Sequence, residues 1–322
     1  MHGAAPSNKT AGAALARGWA LVCRFPGDLL TVWVASLLLA LPLGAVMRSA
    51  LESSLGHSEA AARMVAGWDG LWFKTFKAQA SGIEASFEPG IVGIGAVLEG
   101  LDAMITGALG SLDGAVLTAG VAYAALWVLM SGGLIARYRA SEDPPTLLRA
   151  GVQHFGRLVP LALLAGLAHL AIWLVLFPTL HGMVERATLD VIDERVAFAY
   201  ALAKYGAVWS LAGLVAIVHG YAKVARVNDP ECSVSGAFQR ALSLVRRRLA
   251  SVLAVALAGL LAFVGVVLVY WLVAAGTDDT NPFKIFVAFG IGQASIVARI
   301  GVRAWGHAAR TSLMLADQAE AP

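Results

Sequence analysis

Long apolar runs alternate with short charged segments along the whole chain. Six of the runs are about residues 29–48, 114–136, 159–178, 200–223, 249–274 and 285–305. A bilayer core about 30 Å thick takes roughly 20 helical residues to cross, so each run predicts a transmembrane helix. A seventh stretch, 91–109, contains Glu99 and Asp102. Each charge near the bilayer centre costs about 2.5–3.5 kcal/mol, which places 91–109 outside, as an amphipathic helix leading into the second span. It belongs to a long outer insertion, 51–113, in which Met64, Trp68, Trp72 and Phe76 recur every four residues. That period predicts a helix lying on the outer leaflet with its aromatic side down. The SFEPG stretch at 86–90 breaks it from the next helix. A short polar helix over 184–196 is expected to lead into the fourth span.

Composition supports this pattern. Hydrophobic residues make up 58% of the 322 residues and charged residues only 14%, against roughly a quarter in a soluble domain. So little polar surface cannot cover a soluble globule, and the outer solvent of the bundle must be lipid. The 34 glycines suit close helix approach and the nine tryptophans suit interfacial anchoring. The first run is read as an uncleaved span, since no short hydrophobic region with a clean cleavage site precedes it.

Charge fixes the orientation. With both termini inside, the cytoplasmic segments hold 16 of the 24 basic residues and 7 of the 21 acidic ones, a net of +9, and the outer segments carry −6. This positive-inside split predicts a membrane protein with both termini in the cytoplasm. Cys23 and Cys232 both fall on that reducing side, so no disulfide is expected. The chain reads as one integral membrane domain, 1–316, with a short tail, 317–322.

One pattern recurs. The second span ends GLIARYRASEDPPTLLRAGVQHFGRL and the fourth ends GYAKVARVNDPECSVSGAFQRALSLVRRRL. Aligning Asp143-Pro144 with Asp229-Pro230, 86 residues later, pairs Arg137 with Lys223 and Gln153 with Gln239. It also pairs Leu148, Val152 and Phe155 with Val234, Phe238 and Ala241, one apolar stripe of a helix. Asp-Pro supplies a turn, and Thr146 and Ser233 are placed to cap the helices that follow. The expected unit is span, turn, basic amphipathic elbow helix, span. The N-terminal segment offers a third elbow with Leu15, Trp19 and Val22 on one face. The end of the sixth span, GHAAR, parallels GLIAR 173 residues earlier. A hairpin duplication with a third unit split between the chain ends accounts for this; shared hydrophobicity is the competing account.

The basic residue before a DP turn, the elbow closing on RRR and the following Leu/Ala/Val span resemble a broad group of uncharacterised bacterial six-pass membrane proteins. The group includes the membrane domain joined to some glycerophosphodiester phosphodiesterases. The resemblance implies an all-α polytopic bundle and carries no active site with it.

Candidate chemistry is sparse. Arg299, Arg303, His307 and Arg310 follow one another at steps of four, four and three, so a helix stacks them on one face. Snorkelling to the headgroups accounts for such residues near a span end; the functional reading is a cationic face for lipid phosphate, together with Arg246, Arg247 and Arg248. His154, His219 and His307 lie near cytoplasmic span ends without metal-ligand spacing, and His169 lies mid-span, as expected of a polar helix–helix contact. Glu99 and Asp102 share a helical face, where a solvated surface is the simpler account. Lys204 is expected to snorkel outward. No nucleophile–base set, phosphate-binding glycine loop or zinc motif is present, so no cofactor and no nucleic-acid partner are expected. The leading reading is a non-catalytic membrane protein that serves as a scaffold subunit or organises anionic phospholipid. Its partners would be the bilayer, other membrane subunits or a second copy of itself. The rivals are a small-solute transporter or channel and, last, an intramembrane enzyme acting on lipids.

Overall fold

Among the described residues of the protein, seen in a computed structural model, six helices are long and apolar enough to cross a membrane. The structure describes residues 10–56, 58–66, 69–82, 84, 87, 114–139, 144–274 and 282–319, and no strand occurs among them. The protein is an all-α polytopic bundle. The expected helix at 91–109, with Glu99 and Asp102, lies outside the described residues, as do Trp68, Asp143 and 320–322.

Helix α1 (Ala11–Arg24) begins at Thr10, whose Oγ1 accepts the Ala13 amide at 3.2 Å. The buried face is Ala14, Gly18 and Val22, rather than the expected Leu15, Trp19 and Val22; Trp19 is 61% exposed. Small side chains win because α1 lies almost on the backbone of the last helix: a Cβ on Gly18 would stand 2.8 Å from the Ala309 nitrogen. Helix α2 (Pro26–Leu55) starts on a proline, which suits a first helical turn. It carries the first span past residue 48.

The outer insertion differs from expectation. Instead of one helix, α3 (Ala60–Ala66) and α4 (Gly70–Gln79) are separate. The Asp69 carboxylate caps α4 by accepting the Leu71 and Trp72 amides, each at 3.1 Å. The Trp72 amide, with the Arg63 guanidinium, holds this carboxyl below its ordinary range. Trp72 and Phe76 are buried against Leu51 and Leu55 of α2 and against Phe87, and the Trp72 indole N–H donates to Ser54 Oγ at 3.0 Å. The aromatic face is covered by the chain itself rather than laid on lipid.

Helix α5 (Gly114–Arg139) forms the second span. Helix α6 (Leu147–Ala171), a π turn (Ile172–Leu176) and α7 (Phe177–Thr188) make one rod. The first elbow is therefore continuous with its span, not a separate helix. Its buried face is Leu147, Ala150, Gly151 and Leu158, while Leu148 and Val152 of the expected stripe are exposed. Pro178 explains the π turn: it has no N–H for the Leu174 carbonyl, and the Phe177 amide bonds one residue further back, to Ile172 O. The polar stretch expected as one helix over 184–196 is split: α7 ends at Thr188, and Asp193 caps α8 (Glu194–Asn228), accepting the Arg195 amide at 2.9 Å.

The second elbow, α9 (Val234–Arg247), matches expectation more closely. Ser233 Oγ accepts the Gly236 amide at 3.0 Å, whereas Thr146 makes no such bond. Val234, Phe238 and Ala241 pack into the core. The Asp229 turn is held by Arg240 Nη1 at 2.8 Å, and this bond keeps the Asp229 carboxyl below its ordinary range. Helix α10 (Leu249–Ala274) follows a break at Arg248, and α11 (Pro282–Gln318) runs well beyond the expected end near 305. In the 86-residue register, Gly151 matches Ala237 and Leu158 matches Leu244, all buried. Helix α11 packs against α1, α2, α5, α8 and α10, and with α8 it forms the walls of the site described next. Large apolar side chains such as Leu268, Leu272, Phe283 and Phe286 stand exposed, which suits a lipid solvent.

Candidate anion site at the basic end of the bundle

The stripe on α11 is real as a helical face, but its members meet different neighbours. Arg299 lies close enough to act by charge on Tyr270 of α10. Arg303, exposed, reaches α5: its guanidinium stands 4.6 Å from the centre of the Trp127 ring, and Nη1 donates to the Tyr123 hydroxyl at 3.4 Å. Such cation–π contacts contribute about 0.5–2 kcal/mol. His307 and Arg310 turn inward. His307 is 5% exposed, and its Nδ1 has no hydrogen-bond partner.

Helix α8 supplies the other wall through the stretch HGYAK, 219–223. Gly220 is there because Arg310 fills the space a side chain would need: a Cβ would stand 3.2 Å from Arg310 Nη1 and 3.3 Å from Cζ. Beside it Tyr221 is almost fully buried, and neither its hydroxyl nor His219 Nδ1 has a partner. Lys223 sits one turn beyond His219. Lys223, Arg303, Arg310 and His219 all lie close enough to act on His307 by charge, and no carboxylate among the described residues acts on His219, Lys223, His307 or Arg310. His169 of α6 also acts on His219; its Nδ1 lies 2.8 Å from the Ala165 carbonyl. Among the described residues, the face between α8 and α11 is thus rich in donors and free of acids.

The other basic residues singled out in the sequence are differently placed. Arg246 is exposed. Arg247 Nη2 and Arg248 Nε bind the two oxygens of Asp317, at 2.6 and 3.3 Å, so two of the three arginines already hold an internal carboxylate. Arg137 Nε donates to Asp28 at 2.8 Å. His154 does not join His219 and His307: Arg157 and Arg139 are the charges that act on it. Among the described residues no three His, Cys, Asp or Glu side chains are grouped to hold a metal ion. Lys204 does not snorkel. It is buried, its Nζ donates to His181 Nδ1 at 3.1 Å and it stands 4.3 Å from the Tyr205 ring centre. Phe177 and His181, just past the π turn, close over it.

Lys223 was legible in the sequence only as a cytoplasmic charge and as the counterpart of Arg137 in the repeat, and Gly220 and Tyr221 did not stand out. The signal available was His219 and Lys223 four residues apart in an apolar helix, a spacing that puts both on one face. No family model matches the chain, and neither a curated protein nor a solved structure matches it.

Proposed function

We propose that this is a non-catalytic six-span protein of the bacterial inner membrane, of the kind the elbow motif resembles, that engages anionic phospholipid at its basic end. That end, with both termini, lies in the cytoplasm. The observation that supports the reading is the set Arg246, Arg299 and Arg303. All three stand at least partly exposed without a carboxylate partner among the described residues, while Arg247 and Arg248 are occupied by Asp317. Organising lipid around itself or around a partner subunit follows from such a surface. A small-solute transporter is the second reading, favoured by the polar groups His169, His219 and His307 lying inside the bundle.

Each basic residue near an anionic leaflet contributes about 1 kcal/mol, so the double variant Arg299→Gln/Arg303→Gln is expected to bind phosphatidylglycerol about 30-fold more weakly. Native mass spectrometry in mild detergent reads this directly, and equal lipid retention by the variant and the parent protein would end the lipid reading.

Orientation is tested separately. Cys23 is exposed near the end of α1, whereas Cys232 is buried and a poor reporter. Cys23 is expected to react with an impermeant maleimide only from the cytoplasmic side, and a cysteine at the exposed Leu71 position only from the opposite side. Reaction of both from one side contradicts the proposed topology.

A further inference from the structure

Between α8 and α11 the structure holds a cluster that the surface reading does not use. Some partly buried bases elsewhere in the bundle have acids: Arg137 has Asp28, and Arg248 shares Asp317 with the exposed Arg247, whereas Arg226, with Nε and Nη1 unpartnered, has none among the described residues. Lys223 and Arg310, both half-buried, have none among the described residues either, and both lie close enough to act by charge on His307 and His219. Like charges held together in a low-dielectric interior repel, and a buried donor without a partner is costly. Here the two coincide: His307 Nδ1, His219 Nδ1 and the Tyr221 hydroxyl are all buried without a hydrogen-bond partner. Gly220 removes the one side chain that would displace the Arg310 guanidinium from this space.

We propose that His219, Tyr221, Lys223, His307 and Arg310 form a binding site for a phosphate-type oxyanion inside the basic end of the bundle. The donor inventory selects the ligand class. A guanidinium offers a planar fork, an ammonium up to three protons, and each imidazole and the phenol at least one more. A carboxylate has two oxygens to receive them; a phosphate monoester has three terminal acceptor oxygens and up to two negative charges. A metal cation is repelled by the same groups. The phosphate can belong to a lipid with a terminal phosphomonoester or to a soluble species, and both present the same chemistry.

Arg303 is close enough to act on Lys223 and His307 by charge, but the surface set also includes Arg246 and Arg299, so loss of phosphate binding with lipid binding at the surface retained, or the reverse, tells the two readings apart. The intact protein, purified in a maltoside detergent without phosphate, is titrated by calorimetry with inorganic phosphate and, in a parallel arm, with mixed micelles of phosphatidic acid or phosphatidylcholine. Binding of inorganic phosphate identifies a soluble source; binding of phosphatidic acid alone, with phosphatidylcholine inert, identifies a lipid source. In whichever arm binds, Lys223→Gln and Arg310→Gln are each expected to weaken binding at least tenfold, and Arg246→Gln, on the exposed face of α9, is expected to leave inorganic phosphate binding unchanged. Tyr221→Phe guards against misfolding as the explanation. It removes a hydroxyl that has no protein partner, so unfolding temperature is expected to hold or rise while binding weakens a few-fold. The proposal is overturned if neither probe binds the parent protein, or if Lys223→Gln, Arg310→Gln and Tyr221→Phe all bind as the parent does.

Discussion

Asp28→Ala is expected to destabilise the bundle by about 3–5 kcal/mol, the usual result of removing one partner from a buried ion pair. Asp28 is 5% exposed, and its Oδ2 accepts from Arg137 Nε at 2.8 Å. Arg137 also donates to the Pro145 carbonyl and stands 4.6 Å from the centre of the Phe25 ring. One guanidinium therefore ties together the start of α2, the end of α5 and the segment entering α6. Without the carboxylate it is left charged and largely enclosed, and the Phe25 ring and one carbonyl do not replace an anion. The double variant Asp28→Ala/Arg137→Ala removes the orphaned charge and is expected to recover part of the loss. Unfolding of the four proteins of this cycle in a detergent series measures the coupling. A loss under about 1 kcal/mol for Asp28→Ala, or strict additivity in the double variant, would show that the pair is not linked as its geometry indicates.

The second large effect is expected at Gly133. A Cβ there would collide with the Leu147 carbonyl oxygen and lie 2.8 Å from Leu147 Cδ1. Across the same crossing, a Cβ on Gly151 would lie 2.8 Å from the Leu129 carbonyl oxygen. Backbone oxygens of packed helices cannot step aside as a side-chain tip can, so α5 and α6 would have to separate. Overpacking of this kind costs about 1–3 kcal/mol, set against a helix-propensity gain of about 1 kcal/mol for replacing glycine. The steric term decides at Gly133. Gly166, on the same rod as Gly151, has nothing within 4 Å of its built Cβ, and there the propensity term decides. Gly133→Ala and Gly151→Ala are thus expected to lower the midpoint of unfolding, and Gly166→Ala to hold or raise it. Three variants shifting in the same direction would refute the close crossing.

Composition and periodicity alone determined the class of this protein, because bilayer thickness sets a length that few other constraints produce. The six apolar runs at 29–48, 114–136, 159–178, 200–223, 249–274 and 285–305 each lie within a long helix. The Asp229-Pro230 turn and the Ser233 cap were legible for a similar reason: both are local chemistry, satisfied within a few residues. Faces and partners were not legible. A periodic stripe says that one side of a helix differs from the other. It does not say which side meets another helix when lipid is as apolar as the core. Leu148 and Val152 stayed outside while Ala150 and Gly151 went in, because close approach of backbones rewards small residues over large ones. Lys204 was enclosed because a π turn 28 residues earlier in the chain began a segment that turned Phe177 and His181 over it. The basic stripe is the clearest case. Its spacing placed four residues on one face of α11, but only the packing of α8 against that face separated Arg303, stacked on Trp127, from Arg310, seated on Gly220. His219 and Lys223 reach His307 across more than 80 residues of chain, and helical period carries no information over that distance. Tertiary contact decides it, since a charge is felt through space and not along the sequence.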